Sequence, residues 1–356
     1  MTTLSQANSQ WNNRPADERY PSIEAMHERA VAKRHRQKQS AIIKTRELTA
    51  SALDGNIVIN GRVSQANVTN WSFGQLAQKA KAPASYLSTL PVELAAECLN
   101  NGLRNAEGDT RLLLDVGSDG LPTIEAATSE RYDRIFNAEI TQRLLDLKHS
   151  GQGWQEAPAA FDGSRGQYMG DRDMFSFFVD NDRRIFEEKD GGMSRGFFAW
   201  NSEVGAKTFG VTTFYYKYIC GNHYVWGANE VKEFRIKHIG DAAARGFHNL
   251  RAMLINYANS SAQTDILKIQ SAMNYDLGSN RDEVLDRVLG LRVPAITQKV
   301  AAAAYDRAVE HSDWYGSPRS AWGYASGLTE IARDLPNADA RDQLDRASGK
   351  LLEVAF

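Results

Sequence analysis

Aromatic and basic side chains alternate between residues 214 and 237, in a stretch that is also rich in β-branched residues. Strands that expose aromatic rings beside Lys and Arg can stack unpaired bases and hold phosphates, and each stacked base contributes about 1–3 kcal/mol. We interpret this stretch as a candidate surface for single-stranded nucleic acid. The alternative is that its aromatic residues alternate because they form the core of a central strand. The candidate binding residues here are Tyr216, Lys217, Arg235 and Lys237.

A second basic region lies near the start of the chain. Residues 22–48 have a helical pattern, with Ser22 as a suitable N-cap, and no carboxylate occurs between Arg29 and Arg46. One interpretation is a phosphate-binding helix, because Lys and Arg supply most of the sequence-independent affinity for nucleic acid. The other is a solvated helix face that docks through its apolar positions. The candidate phosphate-binding residues are Arg29, Lys33, Arg34, Arg36 and Lys38.

Cysteine and histidine residues offer the one pattern typical of a transition-metal site. Cys220 and His223 have a ligand-like spacing, and His238 and His248 follow, but a second compact pair of ligands is missing. We therefore expect Cys220 to be a small core residue and the histidines to form local hydrogen bonds. The chain also lacks a phosphate-binding Gly-x4-Gly-Lys loop and a dinucleotide-binding Gly-x-Gly-x2-Gly motif. No metal and no cofactor is expected.

A group of carboxylates gives an alternative function, a metal-dependent hydrolase or nuclease. Two-metal nucleases hold their ions with Asp and Glu, and Arg131 or His238 would assist here. The competing interpretation is that Asp180 and Asp182 are simply turn residues of a hairpin. The carboxylates in question are Asp171, Asp173, Asp180, Asp182, Glu187 and Glu188.

The elements that must position these residues follow from turn signals and hydrophobic periodicity. Residues 111–116 and 121–128 flank a Gly-Ser-Asp-Gly turn and predict one hairpin, and residues 174–188 predict a second that turns at 180–182. A helix is predicted at 138–147, and a Gly-rich loop at 151–170. Further strands are predicted at 196–200, 208–218, 223–226 and 232–239, and we expect them to form one sheet with the second hairpin.

The region before the first hairpin and the region after residue 240 are helical in pattern. Residues 72–90 have the spacing of a helix-turn-helix, but a structural helical hairpin is the alternative, because the second helix carries only short side chains outward. The chain as a whole is predicted to be α+β, with a mainly antiparallel central sheet, helices at both ends and a helical C-terminal part. We divide it into a basic helical N-terminal extension (1–50), an α+β core domain (51–240) and a helical C-terminal region packed on the core (241–356).

Composition excludes several classes of protein. With 356 residues, 42% of them hydrophobic, the chain can bury a substantial core, and disorder is not expected for most of it. Because 42 Lys+Arg nearly balance 44 Asp+Glu, nucleic acid would have to bind a local basic surface. The two cysteines favour a reducing compartment, and neither a signal peptide nor a membrane-spanning apolar run is evident. We expect a cytoplasmic protein.

Several short motifs between residues 72 and 240 resemble the phage/plasmid-like family of unknown function, found on bacteriophages and mobile elements. The chain departs from the family where His223, instead of Gly, follows Asn222. The resemblance implies a mobile-element origin and a shared α+β core, and it implies no established activity. The motifs are Gln75-Leu76-Ala77 with Pro83, Tyr86-Leu87 and Leu90-Pro91; Arg131-Tyr132 with Ile135 and Asn137; Asn201-Ser202-Glu203-Val204-Gly205; Tyr218-Ile219-Cys220-Gly221-Asn222; and Arg235-Ile236-Lys237-His238-Ile239-Gly240.

The polar residues of these motifs form our candidate site. Because buried polar groups need partners, we expect them to converge. They are Arg131, Asn201, Glu203, Asn222 and His238.

Together these features favour a DNA-metabolism protein of a phage or mobile element that binds nucleic acid, in the first place single-stranded DNA. It would act without catalysis, as a replication or recombination accessory in the bacterial host cell, and a homo-oligomer is left open. The alternatives are the metal-dependent hydrolase and an interaction protein that binds a host factor.

Overall fold

Two sheets and a C-terminal group of helices make up the computed structural model of this chain. Its description excludes residues 1–14, 62–64, 118–119, 158–165, 187–192, 218–222, 225–233, 242–245, 247–251, 253–255, 258–262, 335–337, 354 and 356. The helices are α1 (Ile23–Arg36), α2 (Asn70–Lys79), α3 (Ala84–Leu87), α4 (Val92–Arg104), α5 (Asn137–Lys148), α6 (Gln263–Asn274), α7 (Arg281–Gly290), α8 (Gln298–Glu310), α9 (Ser312–Tyr315), α10 (Ala321–Asp334) and α11 (Ala338–Glu353).

The first three strands arise from the region predicted to be a helical extension. Helix α1 begins as predicted, because the Ser22 hydroxyl accepts the N–H of Ala25 at 3.2 Å, but it ends at Arg36. The chain then continues as strands that pair with a later strand, so these residues belong to the body of the protein. The boundary predicted at residue 50 lies inside a strand. The early strands are β1 (Arg19–Tyr20), β2 (Gln37–Gln39), β3 (Ile43–Lys44), β4 (Thr49–Leu53), β5 (Asn56–Asn60) and β6 (Ala66–Val68).

Strands β2 to β6 join β7 (Asp109–Asp115) and β8 (Thr123–Ser129) in a seven-stranded sheet. Strands β7 and β8 pair as the predicted first hairpin, and the β6–β8 pair is parallel while the other pairs are antiparallel. One face of this sheet packs against helices that bury Leu76 and Leu99. The other face, around Leu113 and Ala126, is directed toward the second sheet through Phe136 and Val204.

The second sheet has eight strands: β1 with β9 (Trp154–Glu156), β10 (Gln167–Met169), β11 (Met174–Phe186), β12 (Met193–Asn201), β13 (Phe209–Lys217), β14 (His223–Tyr224) and β15 (Phe234–Ile236). All its pairs are antiparallel. This confirms the predicted contiguous sheet. Both faces are apolar, since Phe178 and Phe197 pack on one face and Phe177, Phe198 and Trp200 on the other. The α+β fold class is confirmed.

The predicted second hairpin is wrong. Residues 180–182 continue β11 instead of turning, because that strand is paired on both sides: Asp180 lies opposite Trp154 of β9, and Val179 lies opposite Gly196 of β12. The register shifts between Val179 and Arg184 accommodate the extra polar residues as a bulge. The predicted loop at 151–170 likewise contributes two short strands, β9 and β10.

The C-terminal part is helical, as predicted, and its helices enclose an apolar cluster of their own. Trp322 and Leu328 of α10 are fully buried in it, and Met193 of β12 extends the cluster toward the eight-stranded sheet. Helices α8 and α10 approach closely at Gly327, where a Cβ would overlap the Ala304 carbonyl oxygen. No helix in the described part of the chain is long and apolar enough to cross a membrane.

Candidate functional site

Polar side chains from both sheets meet around residues 132–137, the segment that leads from β8 to α5. We call this group the junction cluster. It lies between the inner face of the seven-stranded sheet and one end of the eight-stranded sheet. Its members are Lys33, Gln37, Glu125, Arg134, Asn137, Asn201, Glu203 and His238.

Asn201 and His238 bind the backbone carbonyl oxygen and the backbone N–H of one residue, Ile135. The Asn201 Nδ2 atom donates to the Ile135 carbonyl oxygen at 2.9 Å and to Asn137 Oδ1 at 2.8 Å. The backbone N–H of Ile135 donates to His238 Nδ1 at 3.4 Å. Asn201 ends β12, and His238 follows β15, which pairs with the other side of β13 in the same eight-stranded sheet. They therefore fix the segment onto that sheet while Ile135 fills its apolar face.

Glu203 is the most connected carboxylate of the cluster. Its Oε1 accepts the backbone N–H of Asn137 at 2.7 Å, and its Oε2 accepts Gln37 Nε2 at 2.9 Å. Its backbone oxygen accepts Arg134 Nε at 2.6 Å. Because Asn137 is the first residue of α5, the carboxylate also lies at the positive end of that helix dipole, where a negative charge is favoured.

Gln37 links Glu203 to a second carboxylate on the other sheet. The same Nε2 atom donates to Glu125 Oε2 at 2.7 Å, and Lys33 Nζ lies 2.9 Å from Glu125 Oε1. Burial by itself lowers the pKa of Lys33, but the carboxylates of Glu125 and Glu203 outweigh this and raise it above its usual value. Two buried carboxylates thus face two cations, Lys33 and Arg134, within one charge-balanced group.

Arg134 completes the connection between the sheets. Its guanidinium donates to Thr128 Oγ1 of β8 at 3.3 Å and to Gln39 Oε1 of β2 at 3.2 Å. It also lies over the Tyr132 ring, with 5.3 Å from the guanidinium carbon to the ring centroid. A single side chain therefore binds the seven-stranded sheet through two strands and the eight-stranded sheet through the Glu203 backbone.

His238 is a buried histidine in the neutral form at pH 7. Burial is the main cause that lowers its pKa to about 4, and the Arg134 charge adds to the effect. Its ring stacks on Tyr132 with 4.8 Å between centroids and 14° between planes. Among the described residues its Nε2 atom has no hydrogen-bond partner, and the same is true of Asn201 Oδ1 and Gln37 Oε1.

The structure brings together three of the five predicted cluster residues. Asn201, Glu203 and His238 converge, but Arg131 does not, since 81% of its side chain is exposed. Tyr132 forms a bridge with Ile239, which turns Arg131 outward and leaves Arg134 to enter the cluster. Asn222 lies outside the described residues. The sequence analysis missed Arg134, Gln37 and Glu125, and their spacing gives no signal that could have identified them.

The candidate phosphate-binding residues divide into two groups. Lys33 pairs with Glu125 inside the junction cluster. Arg36 donates two hydrogen bonds to the Asp115 carboxylate, from Nε to Oδ1 and from Nη2 to Oδ2, each at 2.9 Å. These two cations are therefore committed to holding α1 against the seven-stranded sheet. Arg34 lies over the Phe136 ring at 3.9 Å but remains exposed, and Arg29 and Lys38 are exposed as well.

The ring of Tyr216, in the aromatic and basic stretch of the eight-stranded sheet, is not accessible for base stacking. That side chain is only 5% exposed and packs in the apolar cluster with Phe198 and Phe214, so its interpretation as a base-stacking residue is corrected to core. Lys237 is exposed. The side chains of Lys217 and Arg235 lie outside the described part of the structure.

The residues of the hydrolase alternative are only partly described. Asp173 is buried and paired with Lys207 at 3.1 Å, and Asp180 is buried in β11, while Asp171 is exposed. Glu187 and Glu188 lie outside the described residues, as do Cys220 and His248 of the metal pattern. Within the described ranges, no three His, Cys, Asp or Glu residues are placed to hold a metal ion.

The arrangement of the junction cluster is suited to fixing two sheets in a set orientation. Its carboxylates, cations and amide N–H groups bind one another and the backbone of residues 132–137, while the amide oxygens of Asn201 and Gln37 and His238 Nε2 have no hydrogen-bond partner among the described residues. Comparison with known proteins adds no assignment: no family model, no curated protein and no solved structure matches the chain.

Proposed function

We propose that this protein binds nucleic acid, in the first place single-stranded DNA, as a non-catalytic replication or recombination accessory of a mobile element. The setting rests on the motifs that resemble the phage/plasmid-like family. The binding surface would be the exposed part of the basic segment, residues 29–46, which runs from α1 along the edge of the seven-stranded sheet.

The observation that carries the proposal is a set of exposed cations that form no ion pair with a carboxylate among the described residues. Lys33 and Arg36 are neutralised internally, but five other cations of the segment form no ion pair among the described residues. They are Arg29, Arg34, Lys38, Lys44 and Arg46. An exposed cation that forms no ion pair within the protein can release counterions from a phosphate backbone. The free energy of this counterion release dominates non-specific binding.

Two of these cations lie on the edge strands of the seven-stranded sheet. Strands β2 and β3 both pair with β7, with Lys38 opposite Leu114 and Lys44 opposite Asp109. Five residues of strand separate these two positions, which corresponds to about 17 Å. Leu114 and Asp109 are an odd number of residues apart on β7, so Lys38 and Lys44 leave opposite faces of the sheet. A nucleic-acid strand bound along this edge would have one cation on each side of it.

Protection of the sheet edge is the competing explanation for the same lysines. Lys residues on edge strands prevent association with other sheets, and the chain is irregular between Gln39 and Ile43, as protected edges often are. Edge protection predicts no affinity for nucleic acid, so a binding experiment separates the two explanations.

The test is a titration of the full chain with single-stranded DNA, duplex DNA and RNA at several salt concentrations, with and without magnesium. The Lys38→Ala/Lys44→Ala variant should bind every sequence more weakly. The slope of log affinity against log salt for single strands should fall by about 1.4 in magnitude, because two phosphate contacts are lost. The matched control is Lys299→Ala/Lys350→Ala, which removes two exposed cations from the C-terminal helices and should leave the slope unchanged.

Two results would overturn the proposal. One is a failure of the intact protein to bind any nucleic acid at low salt, which would leave the host-factor-binding alternative. The other is magnesium-dependent cleavage that survives the Lys38→Ala/Lys44→Ala change and is lost with Asp171→Ala, which would favour the hydrolase.

A further inference from the structure

The described part of the chain exposes one large aromatic ring. Tyr86, in the short helix α3, is 60% exposed, and the other exposed large apolar side chains are aliphatic. The aromatic residues of the eight-stranded sheet do not compete for this role where they are described, because Tyr216 and Phe214 are buried in the core. A protein that stacks an unpaired base needs an accessible aromatic face, and Tyr86 provides one.

The residues next to Tyr86 keep its ring uncovered. Ser88 and Thr89 are short, and their hydroxyls donate to the backbone oxygens of Ser85 and Tyr86 at 2.9 and 2.7 Å. Leu87 of the same helix is buried against α2 and α4, so α3 is anchored by one side chain while the tyrosine points outward. This short, anchored helix is not the recognition helix of a helix-turn-helix, since it spans only Ala84–Leu87.

Cations lie close to this ring in the chain. Lys79 ends α2 and Lys81 follows it, and neither forms an ion pair within the described residues. Lys81 is exposed, whereas burial lowers the pKa of Lys79 and so disfavours its charged form. Lys81 is therefore the exposed cation near Tyr86 in the chain that could contact a phosphate next to a stacked base.

We propose that Tyr86 is the base-stacking residue of this protein and that its ligand is an unpaired nucleotide in a single strand. The inference rests on the proposed function and extends it from phosphate binding to the recognition of unpaired bases. In a duplex the bases are already stacked on one another, so the ring should contribute to binding of single strands alone.

The experiment compares Tyr86→Ala, Tyr86→Phe and Leu94→Ala in titrations of the full chain with an oligo-dT single strand and a duplex of equal length. Tyr86→Ala should weaken binding of the single strand by about 5- to 150-fold, with the salt dependence unchanged because the ring carries no charge. Tyr86→Phe should bind like the unchanged protein. Leu94→Ala is the control, because it removes another exposed apolar side chain from α4, the next helix along the chain.

The outcomes separate the two proposals. If the unchanged protein binds single strands and Tyr86→Ala binds them equally well, stacking on Tyr86 is overturned while nucleic-acid binding stands. If Tyr86→Ala weakens duplex binding as much as single-strand binding, the ring does not select unpaired bases. If the unchanged protein binds no nucleic acid, both proposals fail together. Because Tyr86 is exposed, the variants should unfold at the same temperature as the unchanged protein. Thermal unfolding of each variant is therefore the control that separates a loss of affinity from a loss of folding.

Discussion

The carboxylate of Glu203 accepts the backbone N–H of Asn137 at 2.7 Å, and this contact joins the end of the eight-stranded sheet to the first residue of α5. The same carboxylate reaches β2 of the other sheet through Gln37. One side chain therefore fixes a helix start and the relative position of two sheets. Residues from two separate motifs of the sequence, Asn137 and Glu203, and one residue outside the motifs, Gln37, serve this one connection.

Replacement of Glu203 by Ala should lower the free energy of unfolding by roughly 2–4 kcal/mol. It removes two hydrogen bonds and leaves the Asn137 N–H and the nearby cations without their buried acceptor. Urea denaturation followed by circular dichroism measures the change. Glu130→Ala is the control, because Glu130 is 44% exposed and its loss should change stability by less than about 0.5 kcal/mol. Equal stability of the two variants would contradict the role assigned to Glu203.

His238 should make the stability of the protein dependent on pH in a defined window. Its pKa is lowered to about 4 in the folded state, against about 6.5 for an ordinary histidine. The unfolded chain therefore binds a proton first as the pH falls. The contribution of His238 to stability is fully present above about pH 6.5 and is lost as the pH drops toward 4, by roughly 3 kcal/mol in total.

The measurement for His238 is urea denaturation of the unchanged protein and of His238→Asn between pH 7.5 and 4. The difference between the two proteins isolates this group from the carboxylates that titrate in both. The unchanged protein should lose more stability over that range than the variant. An NMR titration that places the His238 pKa near 6.5 in the folded protein would contradict the prediction.

Replacing Lys33 should destabilise the fold much more than replacing Lys38, although the two residues are only five positions apart. Lys33→Ala leaves Glu125 buried without its cation and should destabilise the fold by roughly 2–3 kcal/mol, below the usual cost for a buried pair because 14% of the Lys33 side chain stays exposed. Lys38→Ala removes an exposed, unpaired side chain and should change stability by less than about 0.5 kcal/mol. Thermal unfolding of both variants tests this, and a reversed order of stability would show that the Lys33 ion pair is not structural.

Local signals in the sequence determined the elements that form within short stretches of chain. The Ser22 cap begins α1, the turn signal after residue 116 predicts the pairing of β7 with β8, and the helical pattern near residue 140 gives α5. The turn-separated strand runs between residues 197 and 239 also predicted one sheet. These features follow from side-chain periodicity and turn chemistry, which depend on neighbours along the chain.

The tertiary structure decided the features that depend on distant partners. The sequence pattern predicted that residues 37–44 continue a basic helix. They form strands instead, because they pair with the open edge of β7. Residues 180–182 read as a turn, yet strands on both sides keep them extended. Arg134 rather than Arg131 enters the junction cluster because a bridge to Ile239 sets which side chain faces inward. In each case the deciding contact joins residues far apart in the sequence, and no local pattern records such a contact.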